Sequence, residues 1–438
     1  MKRLSRRAAT TVATTCAVAL LAVAGTAAAQ DLLLRNATVH TATAQGSLKG
    51  TDVLVRDGRI AAIGTGLDAT GVQVVEAEGR PLTPAMFGGI TGIGIEEVSA
   101  EEPTTDASLG LGLLTNQMTV RPEFDVTLAY NPASVLVPVA RVDGIGWTLL
   151  AANPTQGGSI IGGQGGVVRL DGSADPIGEQ VLFVQLGGGA AELTGNSRAA
   201  QWMLLDQLVA EARGRISPES KHSLLTPAGR DALRRYLDDG GRVVVGVHRA
   251  ADIRQLLRWS DRHDVNIAIA GGAEAWKLAP QLAAAGVPVF VDPLQNLPGS
   301  FDTIAATLQN AARLHEAGVA VSFAQAGDNS HNARKVRQLA GNAVANGLPW
   351  AAGLAGLTRV PARVLGVDDE LGTIEIGQRA DLVLWTGDPL EVSSVALQLW
   401  LDGRAIPMES RQTELRDRYL RTQQAPAEGG LPRAYPAR

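Results

Sequence analysis

Cysteine is almost missing from this chain: Cys16 is the single one in 438 residues. It lies in the only long apolar stretch, at the very start. Lys2, Arg3, Arg6 and Arg7 precede an apolar run from Ala8 to Val23, and Thr26-Ala27-Ala28-Ala29 supplies small residues for cleavage. That pattern predicts a secretory signal peptide over residues 1–29 and a periplasmic or secreted destination. Thr11, Thr14 and Thr15 interrupt the run, and it falls short of a full membrane span. Arg6-Arg7 leaves both the general and the twin-arginine export routes open. Cleavage removes the cysteine, which excludes a disulfide, a thiol nucleophile and a thiolate metal ligand from the mature chain.

Aromatic residues are also scarce, at 4%, and acidic residues outnumber basic ones, 44 to 39. No basic, aromatic-rich segment points to nucleic acid. No apolar run after the leader is long enough to cross a membrane. A dinucleotide-binding glycine fingerprint is absent. What remains is a 45% apolar, 19% charged composition with 50 glycines, typical of a globular core with many short connections. The length allows one large domain and a smaller one.

Both ends of the mature chain read as β structure. Asp31-Leu32-Leu33-Leu34 and Asp52-Val53-Leu54-Val55 precede Asp57-Gly58, and Arg59-Ile60-Ala61-Ala62-Ile63 follows it. Asp-Gly between apolar runs predicts a type I′ hairpin, which needs positive φ at both central residues. Near the other end, Leu382–Trp385 and Leu397–Leu401 read as strands, the latter turning at Asp402-Gly403 towards Arg404 to Ile406. Between the ends, strands and helices alternate. Thr226-Pro227 predicts a helix start, and Gly240-Gly241 its stop. Strands are expected at Val243–Val247, Val265–Ala270, Val287–Val291 and Val319–Phe323, each separated by a helix-length segment. Such repetition means parallel strands with right-handed crossovers, met by a doubly wound sheet or a (β/α)8 barrel; length favours the barrel.

Several segments then resemble the amidohydrolase superfamily. Glu78-Gly79-Arg80-Pro81-Leu82-Thr83-Pro84 is similar to its entry into the first barrel strand. Ala362-Arg363-Val364-Leu365-Gly366 and Gly372-Thr373-Ile374-Glu375-Ile376-Gly377 through Trp385 are similar to its exit. Ile161-Gly162-Gly163-Gln164-Gly165-Gly166 resembles a Gly-rich loop of an imidazolonepropionase-like branch. The resemblance implies an α/β fold. A (β/α)8 TIM-like barrel would span 84–366, with a small composite β-sandwich from 30–83 and 367–408. A C-terminal helix and loose tail would fill 409–438.

The metal ligands implied by the resemblance are mostly replaced. The family's first strand reads Pro-x-x-x-Asp-x-His-x-His, so that two imidazoles on one strand face reach one metal. Here Gly88 takes the Asp position, and Ile90 and Gly92 take the two His positions. Phe183 and Gly188 align with a Lys and a Glu of the middle strand, Gly271 with the sixth-strand His, and Gln325 with the eighth-strand Asp. Only the fifth-strand ligand is retained, as His248. One imidazole is too few for a catalytic zinc, which usually takes three protein ligands.

Two functional readings follow. In the first, the protein is a catalytically degenerate family member, a pseudoenzyme without a cofactor. It would act as a partner subunit of an active amidohydrolase paralogue, by self-association, or as a barrel binding a small molecule. In the second, it is a hydrolase on non-peptide or cyclic C–N bonds with a remodelled site of His248, Asp328 and His331, aided by Glu96 or Glu97 and, where needed, a divalent metal such as zinc. The bland alternatives stand beside these residues: Gly327-Asp328-Asn329-Ser330-His331 also reads as a polar turn and helix cap, Asp292 before Pro293 as a turn, and Gly157 to Gly166 as close backbone packing.

Overall fold

The computed structural model describes residues 31–113, 118–327 and 329–424. The leader over 1–29, the end of the tail after 424 and the candidate Asp328 lie outside the described residues. Five strands open the fold: β1 (Leu32–His40), β2 (Ser47–Arg56), β3 (Arg59–Gly64), β4 (Gln73–Glu76) and β5 (Pro81–Pro84). Asp57 and Gly58 join β2 to β3 with φ of 48° and 74°, the two positive values that the Asp-Gly pair predicts.

Eight further strands lie side by side in chain order. They are β6 (Met86–Thr91), β7 (Ile145–Leu150), β8 (Ile161–Arg169), β9 (Ile177–Gln185), β10 (Val243–Val247), β11 (Ile267–Gly271), β12 (Val289–Val291) and β13 (Val321–Phe323). The edges β6 and β13 form no ladder, yet they nearly close the barrel: a Cβ on Gly89 would lie 3.5 Å from the Ala324 Cα.

Strict (β/α)8 alternation does not hold. β8 runs antiparallel to both β7 and β9, and the remaining neighbours are parallel. The connections around β8 are too short for a crossover helix, so the chain can only reverse there. The Gly-rich segment expected as a loop is therefore largely strand. Its glycines permit a tight approach: a Cβ on Gly163 would lie 2.6 Å from the Phe124 carbonyl oxygen.

Helices cover the outside. α1 (Leu136–Arg141) precedes β7, α2 (Arg198–Ala212) and α3 (Pro227–Leu237) precede β10, and α4 (Ala250–His263) follows it. α5 (Ala279–Ala284) and α6 (Asn310–Glu316) flank β12. α7 (Asn329–Asn332), α8 (Val336–Ala345), α9 (Trp350–Ala355) and α10 (Arg359–Val364) come after β13. Thr226 caps α3 by accepting from the Gly229 N–H, with Pro227 at the first helical position. Val243, Val245 and Val247 point outward to Leu208, Leu233 and Leu256, while Val244 points into the barrel with Phe87, Trp147, Phe183 and Phe290. Burial on both faces explains why β10 is apolar throughout.

The chain returns through β14 (Leu382–Trp385), β15 (Ala396–Leu401) and β16 (Arg404–Ile406). β14 pairs antiparallel with β5, so strands from both ends share one eight-stranded sheet. Trp385 donates its indole N–H to Thr83 at 2.9 Å, and Arg379 bridges Asp171 at the end of β8 and Asp381 before β14. The final helix α11 (Arg411–Gln424) falls within the span expected to hold a C-terminal helix. No helix among the described residues is long and apolar enough to cross a membrane.

Candidate functional site

Barrel enzymes place their chemistry at the C-terminal ends of the strands. In this chain that end carries Gly92 after β6, Gln185 and Gly187-Gly188 at β9, His248 after β10, Gly271 at β11, Asp292 after β12, and Gln325 beyond β13. Alternation along a strand puts Gln185 on the same face as Phe183, and Asp292 on that of Phe290, both inside the barrel. Phe183, which the resemblance sets at the family's lysine position, is part of the barrel core.

Three of the positions that the resemblance assigns to the metal site, Gly88, Gly92 and Gly271, are closely packed. A Cβ on Gly92 would lie 2.9 Å from Ser330 Oγ and 3.1 Å from Glu96 Oε2. Ser330 Oγ accepts from the Gly92 N–H at 3.0 Å and donates to Glu96 at 2.7 Å. At Gly271, a Cβ would come within 2.5 Å of His248 Cε1. The imidazole thus lies across the place from which a sixth-strand histidine would project. Gly88 is closed off by Ile145, 2.9 Å from its would-be Cβ, and Ile90 packs into the apolar interior. Gln325 is half-buried at the end of β13.

The proposed acid–base residues fall into different surroundings. His248 is half-buried, and its Nδ1 makes no hydrogen bond among the described residues. Burial holds its pKa below the ordinary histidine value, with the charge of Asp302 opposing, so the ring is neutral at pH 7. His331 stands on α7 beside Ser330 and is half-buried. Glu97 is committed elsewhere: it accepts from Ser134 Oγ and the Val135 N–H at the start of α1. Glu96 is the acidic residue of that pair that reaches the mouth. Asp292 receives the N–H groups of Leu294 and Ala326, in keeping with a turn.

Ser330, Gln185, Arg198 and Asp302 were not singled out by the sequence. The available signal for Asp302 was the long connection from β12 to α6, since long irregular loops in compact domains are usually functional. Among the described residues, no group of three or more His, Cys, Asp or Glu side chains could hold a metal ion. With Ser330 and Glu96 packed at Gly92 and His248 at Gly271, the positions that the resemblance assigns to ligands, the described residues do not fit the metal centre that it implies.

A profile of the Amidohydrolase family matches residues 263–408. The amidohydrolase tasK of Hapsidospora irregularis is 48% identical over 59 residues, 14% of this chain and 6% of that protein. The imidazolonepropionase of Aromatoleum aromaticum is 44% identical over 95 residues, 21% of this chain and 23% of its own length. The chain therefore matches less than a quarter of either relative. An amidohydrolase from Thermotoga maritima superposes with a TM-score of 0.73 at 24% identity, covering 86% of this chain and 99% of that one. Residues 263–408, from the end of α4 to the last strands, thus carry the Amidohydrolase family match, and the barrel with a sheet fed from both ends shares the fold of that solved structure.

Proposed function

We propose that this chain is an exported, imidazolonepropionase-like amidohydrolase barrel that binds or partners instead of hydrolysing. The family's reaction class is hydrolysis of non-peptide C–N bonds. That chemistry draws its nucleophile from water activated by a metal. The observation that carries the proposal is the filling of two ligand positions by this chain's own groups: Ser330 and Glu96 at Gly92, His248 at Gly271. A partner role is supported by exposed apolar residues beyond the strand ends, among them Val98 and Leu128 after β6 and Leu297, Phe301 and Ile304 after β12. An intact paralogue or a second copy would cover them.

The test is metal content by plasma mass spectrometry, on mature protein exposed to zinc and desalted, with turnover assayed on cyclic amides. Far less than one ion per chain and no turnover are expected. A stoichiometric zinc that survives desalting would overturn the proposal.

A second reading has one observation in its favour. His248 is neutral, sits at the mouth and has an Nδ1 with no hydrogen bond among the described residues, as a general base requires. A remodelled hydrolase built on His248 with His331 and Glu96 would lose turnover by at least a hundredfold in His248→Ala, on the order expected for a general base. Unchanged turnover in that variant would remove this reading.

A further inference from the structure

The connection from β12 to α6 crosses the mouth as a strap. It is pinned at two places. Asp302, 7% exposed, accepts from the Gly188 N–H at 2.5 Å and from Arg198 Nη2 at 2.5 Å. Ala305 donates its N–H to Glu274 Oε1 at 3.0 Å, and its carbonyl receives the Trp276 indole N–H at 2.9 Å. Between and around these pins the strap exposes Leu294, Leu297, Phe301 and Ile304, with Phe301 85% exposed. A segment that turns its apolar side chains to solvent is not held by burial; its polar pins hold it.

The Asp302 end has the makings of a ligand site. Buried Gln201 fixes the Gly187 peptide from both sides, accepting from its N–H at 2.9 Å and donating to its carbonyl at 2.8 Å. The Gly188 amide is thereby aimed before anything binds it. Arg198 supplies one Nη2 bond to Asp302, while its buried Nε makes no hydrogen bond among the described residues and faces Asp252 at 3.6 Å. Arg249 is paired to Asp252 at 2.6 Å, and His248 Nδ1 also has no partner among the described residues. Two guanidinium groups therefore face two carboxylates, Asp252 and Asp302, with Glu274 satisfied by Lys277 and by backbone donors. Asp302 is the carboxylate that arrives on a removable segment. Taking it away leaves an aimed N–H, an Arg198 with unused donors and one uncompensated positive charge.

We propose that Gly188 and Arg198 form a carboxylate-binding cradle at the barrel mouth, which Asp302 occupies from within the chain. A small carboxylate solute exchanges for Asp302, charge for charge, and frees the strap. Arg favours this geometry because its planar fork matches a carboxylate. The exchange explains why the internal ligand is tethered at 302: it competes at a high effective concentration, so that only a solute bearing a carboxylate opens the mouth. The cradle rests on its own geometry whether the mouth hydrolyses or only binds, so metal content has no bearing on it.

The experiment titrates glutarate into the mature protein and its variants at low ionic strength by calorimetry. Asp302→Asn, which keeps an acceptor for Gly188, is expected to bind glutarate at least tenfold more tightly than the unsubstituted chain. Adding Arg198→Ala to that variant should abolish the binding. In the unsubstituted chain, glutarate should speed chymotryptic cleavage after Phe301; that readout stands even should Asp302→Asn fail to fold. Equal affinity with and without Asp302, or binding that survives loss of Arg198, would overturn the proposal. Tighter binding of inorganic phosphate than of glutarate to Asp302→Asn would overturn the carboxylate assignment.

Discussion

Replacing Arg230 with alanine is expected to destabilise the fold by about 3–5 kcal/mol, the range for stripping one partner from a buried ion pair. Arg230 lies on α3, 4% exposed, and Glu211 on α2 is fully buried. Their charged atoms are 3.3 Å apart, and Arg230 also donates to the Glu211 and Ile216 carbonyls at 2.6 and 3.1 Å and to Ser223 Oγ at 2.6 Å. Without the guanidinium, those carbonyls lose a donor and Glu211 keeps an uncompensated charge in the interior. Thermal unfolding followed by circular dichroism should show a midpoint lowered by roughly 4–6 °C, the scale for a chain of this length. A shift within 2 °C, on the order of a surface substitution, would mean that water replaces the guanidinium.

The same site sets a pH dependence. Burial pushes the Glu211 carboxyl upward, but hydrogen bonds from Gln207, from the Leu225 and Leu224 N–H groups and from Ser223 outweigh it, so its pKa lies below the ordinary glutamate value. The unfolded chain thus takes up a proton at higher pH than the folded one. The stabilisation is present above the ordinary glutamate pKa and is lost as pH falls through the lowered folded value. Glu211→Gln should flatten the acid limb of stability against pH.

The parts of this fold that were legible were those set by neighbours in sequence. Asp57-Gly58 needs only its own backbone to specify a hairpin, and the unbroken Val243–Val247 run needs only burial on both faces. β8 was not legible because glycine has little intrinsic preference for a strand. Its glycines are explained by the approach of Ala152 and Phe124, whose carbonyl oxygens leave no room for side chains at Gly162 and Gly163. The resemblance assigned ligand positions to Gly92 and Gly271, yet the groups that pack against them were not legible. Ser330 reaches Glu96 across 234 positions, and Asp302 reaches Gly188 across 114. No local pattern encodes a contact at that separation. Glu96 and Glu97, indistinguishable as adjacent acids, part only because one meets Ser330 and the other meets Ser134.

Gly271→Ala is the second large effect expected, at about 2–6 kcal/mol. It combines a backbone and a steric cost. Gly271 has φ of 92°, where a side chain is strained by about 1–3 kcal/mol. Its new Cβ would sit 2.5 Å from His248 Cε1 and 3.0 Å from both ring nitrogens, so a rigid ring must shift, at a further cost of about 1–3 kcal/mol. The two costs separate in a double-mutant cycle measured by urea unfolding. In a His248→Ala background the steric part vanishes and the φ part stays, giving a coupling of about 1–3 kcal/mol. Additive effects would show that the ring has room to turn aside. The same geometry bears on metal binding. Gly271→His would displace the His248 imidazole instead of joining it, so that variant should hold no more zinc by mass spectrometry than the parent. Gain of a stoichiometric ion from this single change would mean that His248 can retreat to a ligand position. The mouth would then be a metal site one residue from completion, and its present side chains would only be borrowing the space.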